Sequence, residues 1–402
     1  MAVGLLAHEV SDLCIGKPAL RSLPPSATVG EALLSLKRCG DSCLAVWSER
    51  TPGSAKGAAC LGKVCMVDII CYLCSEESLA SPASALRSPV SALLPKDSGA
   101  LISRVERHSS VVEALDVILG GAQSLMVPLR AAGVTGRKKP QKNALAFCWL
   151  TQEDFVRFFL NSIAAFSPVP ALSVDYLGIV RPDVLAVRYH QPALAAVPLI
   201  KQALASQTAV AVITDDGKLI GEISPSTLAN CDETVAAAVA TLSAGELMAY
   251  IDSGGLGGPP EEALRAVKAR LMERGMRGML ELVDDAAMSD ASLSSPSSGS
   301  SSGSSSSDEE SAEGGTGGGR RLRRGYNRSG SYSARMGRRS EDAIVCHPWS
   351  SLVAVMIQAL AHRVSYVWVV EDDYQLAGVV TFPDVLTVFR EQLQAFDQQQ
   401  QQ

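Results

Sequence analysis

The sequence predicts an α+β fold built from four copies of one supersecondary unit, and three observations carry that prediction. A helix-forming stretch, two apolar strands and a second helix follow in the same order at 27–73, 109–159, 192–228 and 351–386. The strand segments are short and largely apolar, as in Val367–Val370, which suits strands covered on both faces. Each second strand runs straight into a helix through a corner residue: Cys65, Thr151, Ser224 or Thr381. Units of this kind bury their apolar faces against one another, so a ligand site is expected where copies meet.

In copy one, Val29-Gly-Glu31-Ala opens a helix, Cys43–Trp47 is the first strand, and Leu61–Val67 leads through Cys65 towards Asp68. Copy two repeats the order with Val111-Val-Glu113-Ala, Leu125–Leu129 and Phe147-Cys-Trp-Leu-Thr151-Gln-Glu-Asp154. Copy three reads Ala193–Val197, Ala209–Ile213, a turn at Asp215-Asp-Gly217, then Leu219-Ile-Gly221-Glu-Ile-Ser224-Pro-Ser-Thr227. In copy four, Leu352, Val355, Met356, Ala359 and Leu360 recur at helical spacing. Glu371-Asp-Asp373 then separates its strands, and Leu376–Val380 ends at Thr381-Phe-Pro-Asp384.

The 402 residues allow two to three domains, and a hydrophobic content of 47% supports sizeable cores. Mean hydropathy is +0.15. With aromatics at 5%, Val, Ala and Leu must do most of the packing. A net charge of −6 argues against nucleic acid as a partner. The N-terminus carries no basic region ahead of a long apolar run, so no secretory signal is expected, and the Ala-rich run 234–244 is too short to span a bilayer. The ten cysteines read chiefly as small hydrophobes in a reducing compartment. Cys71-Tyr-Leu-Cys74 is a lone C-x-x-C with no second pair at zinc spacing.

The Asp-Asp-Gly217 turn, the Gly-x-apolar-Ser/Thr-x-x-Asp corners and the apolar-Glu-Ala helix starts resemble the cystathionine-beta-synthase (CBS) domain family. The layout is similar to that of plant CBS-domain-only proteins of the CBSX type, over most of the chain except about 254–339. The resemblance implies β-α-β-β-α repeats that pair into two Bateman modules, and two such pairs can pack into a disc. One module would span 1–166 (repeats about 8–75 and 87–160), and the other 167–252 with 341–397. An insert at 253–340 interrupts the second module before the last repeat's first strand, and a Gln tail closes the chain at 398–402. The resemblance also implies a sensor of adenosine-containing ligands (AMP, ADP, ATP or an S-adenosyl compound) that regulates a protein partner. A homodimer is a further arrangement it allows. No cofactor is required by it.

Two readings of the corners stand side by side. Thr151 with Asp154, and Thr381 with Asp384, have the form of capping boxes, which satisfy orphan amides without a ligand. Equally, a helix N-terminus offers N–H groups to phosphate, and a carboxylate accepts both ribose hydroxyls. By resemblance, Thr381 and Asp384 would hold ribose, while the pair His362-Arg363 would reach phosphate, with Arg363 favoured for its permanent charge. Arg363 also reads as a cation complementing a helix C-terminus. Thr151 and Asp154 form the second candidate site. Copy one keeps Asp68 but has Cys65 at the corner, and copy three has Thr227 in place of the carboxylate. Asp384→Ala is expected to abolish binding with stability nearly intact.

Within the insert, 261–283 reads as one helix with Leu264, Val267 and Leu271 on a face, and 286–340 as a disordered Ser/Gly/Arg-rich segment. Ser306, Ser307 and Ser340 have phosphorylation-compatible contexts. The five histidines are dispersed and no catalytic constellation emerges, so the chain is expected not to be an enzyme. The alternatives to a sensor are a ligand-free interaction scaffold regulated through its insert, or a redox-linked regulator of thioredoxin-like proteins. A cytoplasmic location follows from the sequence, with the nucleus open through the Arg-rich run.

Overall fold

The computed structural model describes residues 7–39, 42–48, 59–95, 101–129, 146–254, 260–293 and 343–400. It contains four three-stranded sheets, one per copy. Copy one holds β1 (Ser22–Leu23), β2 (Cys43–Trp47) and β3 (Cys60–Cys65). Copy two holds β4 (Ile102–Arg104), β5 (Ser124–Pro128) and β6 (Phe147–Thr151). Copy three holds β7 (Ala186–Arg188), β8 (Val210–Ile213) and β9 (Leu219–Ile223). Copy four holds β10 (Val345–Cys346), β11 (Tyr366–Val370) and β12 (Leu376–Thr381). In every sheet the first strand pairs parallel with the second, which pairs antiparallel with the third. The expected α+β repeat architecture is therefore present in all four copies.

Local chemistry sets the helix boundaries. The helix Val111–Leu119 opens on a capping box in which Ser110 and Glu113 each accept the other's backbone N–H. Thr28 with Glu31 and Ser243 with Glu246 do the same. The helices Val197–Ser206 and Leu352–His362 both stop at a residue in the left-handed region, Gln207 at φ 56° and Arg363 at φ 55°. That conformation turns the chain sharply into β8 and β11.

The copies are cross-linked by their cores. One core joins the helices of copies two and four, with Phe159 stacked on Phe389 at 4.9 Å between ring centroids. The other joins copies one and three, through residues such as Ile69, Ile70, Ile200 and Val239. The sheets make the complementary contacts. Lys63 of copy one donates to the Ser124 hydroxyl of copy two at 3.0 Å. The hairpin turns of copies three and four also hydrogen-bond to each other, with Leu219 N–H donating to Tyr374 O. Each copy thus meets one neighbour through sheets and another through helices, so a closed ring of four forms within one chain.

The segment expected as one helix at 261–283 is instead two, Glu261–Glu273 and Arg277–Leu293. Gly275 adopts φ +69°, a left-handed conformation that ends the first helix and reverses the chain. Both helices then place apolar residues, Val267 and Leu271 with Met279 and Val283, in the core of copies one and three. Their arginines finish the wholly buried helix Val235–Thr241. Arg274 donates to the carbonyls of Ala240 and Thr241, and Arg270 forms a two-armed pair with Glu246. These guanidinium groups satisfy carbonyls that a helix C-terminus leaves without internal partners. Of the segment expected to be disordered at 286–340, residues 286–293 instead continue the second helix, and 294–340, with Ser306, Ser307 and Ser340, lie outside the described residues. No helix among the described residues is long and apolar enough to cross a membrane.

Candidate functional site

A cavity of about 210 Å³ opens between copies three and four at the Thr381 corner. Trp368 and Val379, register partners on β11 and β12, form one wall. Thr381 and Pro383 adjoin it, and copy three supplies Arg181, Asp183, Val184, Leu185 and Ala209, with Gln202, Ser206 and Thr208 from the end of the helix before β8. The Trp368 ring is fixed from outside the cavity, because its Nε1 donates to Glu222 at 2.7 Å, and the Tyr366 hydroxyl donates to the same carboxylate at 2.8 Å.

At the corner, Thr381 and Asp384 are brought together. The Thr381 N–H donates to Asp384 Oδ2 at 2.9 Å and its hydroxyl donates to the same oxygen. The other oxygen, Oδ1, accepts Arg181 Nε at 2.6 Å. These contacts are those of the capping reading, with Arg181 added on the second oxygen. Asp384 is only 9% exposed. With three partners and that burial, the carboxylate has a structural task as well, so the expectation of an Asp384→Ala change neutral for stability does not fit its surroundings.

Arg363 and His362 are exposed and do not line this cavity. Thr381 shares the cavity with Ser206 and Thr208, at the helix end of copy three. Arg363 is the counterpart of Gln207, each being the left-handed residue that ends its helix. The cation that reaches Asp384 is Arg181, ahead of β7. A signal for it was present in the sequence, since Arg181-Pro182 before β7 matches Lys17-Pro18 before β1.

Copy two shows the same device. Lys17 lies 2.8 Å from Asp154, whose Oδ2 accepts the N–H and hydroxyl of Thr151 at 2.7 and 3.0 Å. In copy one, Asp68 accepts Cys65 N–H at 2.7 Å. Burial pushes its carboxyl above the usual carboxylate range, against the pull of that hydrogen bond and of Lys63 and Lys201. The four slots differ most at the residue two before each corner: Lys63, Trp149, Glu222 and Val379. Lys63 and Glu222 reach across to Ser124 and Tyr366 of the facing copy. Trp149 carries a bulky ring whose Nε1 is buried without a hydrogen-bond partner among the described residues. Val379 is the small one, and the cavity lies beside it.

Cys71 and Cys74 are buried, and burial drives both thiols upward, Cys71 to about 12. They belong to the core of copies one and three. Among the described residues, no group of three or more His, Cys, Asp or Glu is placed to hold a metal.

No protein-family model matches the chain. It is 46% identical over 413 residues to the CBS domain-containing protein CBSX5 of Arabidopsis thaliana, covering 98% of this chain and 99% of that one. Two other Arabidopsis thaliana proteins align over nearly their whole lengths. One is the CBS domain-containing protein CBSX6, at 26% identity over 98% of this chain and 96% of the relative. The second is the SNF1-related protein kinase regulatory subunit gamma-like PV42b, at 22% over 97% and 96%. Among solved structures, a Methanocaldococcus jannaschii protein described as a putative archaeal homolog of g-AMPK superposes with a TM-score of 0.53 at 14% identity. That match covers 95% of this chain and 100% of the other, and it shows a shared fold. The four sheets, their corners and the 46% identity over the whole length together establish that the chain belongs to the family of CBS domain-containing proteins.

Proposed function

We propose that this chain is a non-catalytic regulatory protein that binds an adenosine-containing ligand between copies three and four and passes its occupancy to a partner protein. The observation that carries the reading is the cavity itself. It is lined by Trp368, by Thr381 of the corner and by Arg181, whose side chain pairs with the neighbouring Asp384. AMP, ADP, ATP and S-adenosyl compounds share the adenosine portion that these groups suit. Ligand binding would bias the angle between copies three and four, and the two shared cores would carry that change to copies two and one. The free thiols among the described residues fit a reducing compartment such as the cytoplasm. Similarity to a kinase gamma-like subunit supports action through a protein partner.

Calorimetric titration of the full chain with AMP, ADP, ATP and S-adenosylmethionine tests the reading. Saturable binding that Asp384→Asn abolishes is the expected result. At about a hundred times the dissociation constant, the ligand should add roughly 2.7 kcal/mol of stability. Absence of binding by all four would leave the scaffold reading, which the bulky or charged Lys63, Trp149 and Glu222 in the other slots favour.

A further inference from the structure

The hairpin turns of copies three and four merge into one surface, because Leu219 N–H donates to Tyr374 O and Leu376 N–H donates to Gly217 O. Glu371, Asp372 and Asp373 of one turn and Asp215 and Asp216 of the other are exposed on it. His347 Nδ1 lies 2.9 Å from Val370 O, which brings the loop 347–350 against the same turn. Asp175 N–H donates to Pro348 O, so a sixth exposed carboxylate adjoins that loop. Among the described residues, the cations paired with these six are Arg188 and His190 at Asp215 and Lys218 at Asp373, at 3.8, 3.5 and 3.7 Å. Carboxylates therefore outnumber permanent cations here by six to two.

Large aromatic rings stand out of the same surface. Trp349 is 58% exposed and stacks on His347 at 4.7 Å between centroids, Tyr374 is 59% exposed and Tyr176 is 76% exposed. Solubility and turn chemistry explain acidic turns, as where Asp373 accepts Gln375 N–H, but they do not explain three exposed rings beside them. Ring faces attract a guanidinium, and carboxylates accept its planar fork, so the surface suits an arginine-rich segment.

This chain carries such a segment, tethered next to the surface. Residues 320–339 hold eight arginines, no lysine and no carboxylate. The run ends four residues before 343, where the described chain resumes and leads through β10 to His347 and Trp349. At no more than about 3.6 Å per residue, Arg339 lies within about 36 Å of Trp349. That tether makes the contact an intramolecular one with a high effective concentration. We propose that the arginine run 320–339 docks on the acidic, aromatic surface of its own chain. Its guanidinium groups pair with the turn carboxylates and lie over Trp349, Tyr374 and Tyr176. A phosphate on Ser340, beside Arg338 and Arg339, would weaken the dock by offsetting their charge.

The test is arginine-specific proteolysis of the full-length chain at low and high salt. At low salt, cleavage within 320–339 should be about fivefold slower in wild type than in Glu371→Gln/Asp372→Asn/Asp373→Asn, the scale of several exposed ion pairs. Salt at about 0.5 M should remove that difference. Trp349→Ala leaves the charge unchanged and should also speed cleavage at low salt. Photo-cross-linking with p-benzoylphenylalanine in place of Tyr176 should join that position to 320–339 in a product of one chain's mass. The amide variant keeps the hydrogen-bond acceptors of the turn, and an unchanged melting temperature in both variants excludes unfolding as the cause. Cleavage equal to wild type in either variant, or cross-links found only between chains, would overturn the proposal.

Discussion

The Glu222 carboxylate of copy three accepts the indole N–H of Trp368 in copy four at 2.7 Å, inside an interface where both residues are buried. The bond ties the cavity's aromatic wall to the opposite sheet. Glu222 also accepts from Tyr366, so Glu222→Leu strands two buried donors and should cost about 2–5 kcal/mol. Glu222→Gln keeps one acceptor and should cost about half as much. Denaturant unfolding of both variants checks this. Equal stability in the two would mean that the donors find other partners.

Asp384 separates capping from binding. Asp384→Ala removes the acceptor of the Thr381 N–H and should cost about 1–2 kcal/mol. Asp384→Asn keeps an oxygen for that cap, so it should stay within about 1 kcal/mol of wild type while losing the ligand. If Asp384→Asn unfolds like the alanine variant, the charge itself supports the corner.

Val379 decides whether a cavity exists at this slot. Val379→Trp introduces the residue type that copy two carries at Trp149. The indole has about 210 Å³ of space to enter, so thermal stability should stay within a few degrees while binding disappears. Wild type should take up one ligand per chain. A measured stoichiometry of two or more would mean that the Lys63, Trp149 or Glu222 slots also open.

Buried thiols set the alkaline limit of the fold. Burial raises Cys71, Cys231 and Cys346 to about 12 from an ordinary 9.0. A thiol raised on folding contributes stability that is complete below pH 9 and is lost as pH climbs towards 12. Each can contribute a slope of up to about 1.4 kcal/mol per pH unit across that window. Chemical unfolding midpoints should be flat from pH 7 to about 8.5 and then fall. At pH 8 in the native state, Cys71 and Cys74 should resist iodoacetamide. Rapid labelling of that pair would instead support redox chemistry at the C-x-x-C.

Much of this fold was legible because its signals are local. The spacing of Leu352, Val355, Met356 and Ala359 marks a helix face, and all four are buried. The Thr381–Asp384 and Thr151–Asp154 corners depend on residues three apart, so their geometry follows from neighbours in the chain. The break at Gly275 was also local, but helical periodicity on both sides of it hid the turn. The identity of the cation at Asp384 was not local. His362-Arg363 adjoins the right strand in sequence, yet neither residue lines the cavity.

By itself, then, the sequence determined the repeated unit, its strand order and the two corners equipped with carboxylates, since hydrogen bonds and periodicities within a few residues specify them. Only the tertiary structure decided which copies face each other, that Arg181 meets Asp384 across 203 residues of chain, and that the cavity lies beside Val379. Those facts arise where surfaces from different copies compete for the same space, and no spacing along a single copy encodes the outcome.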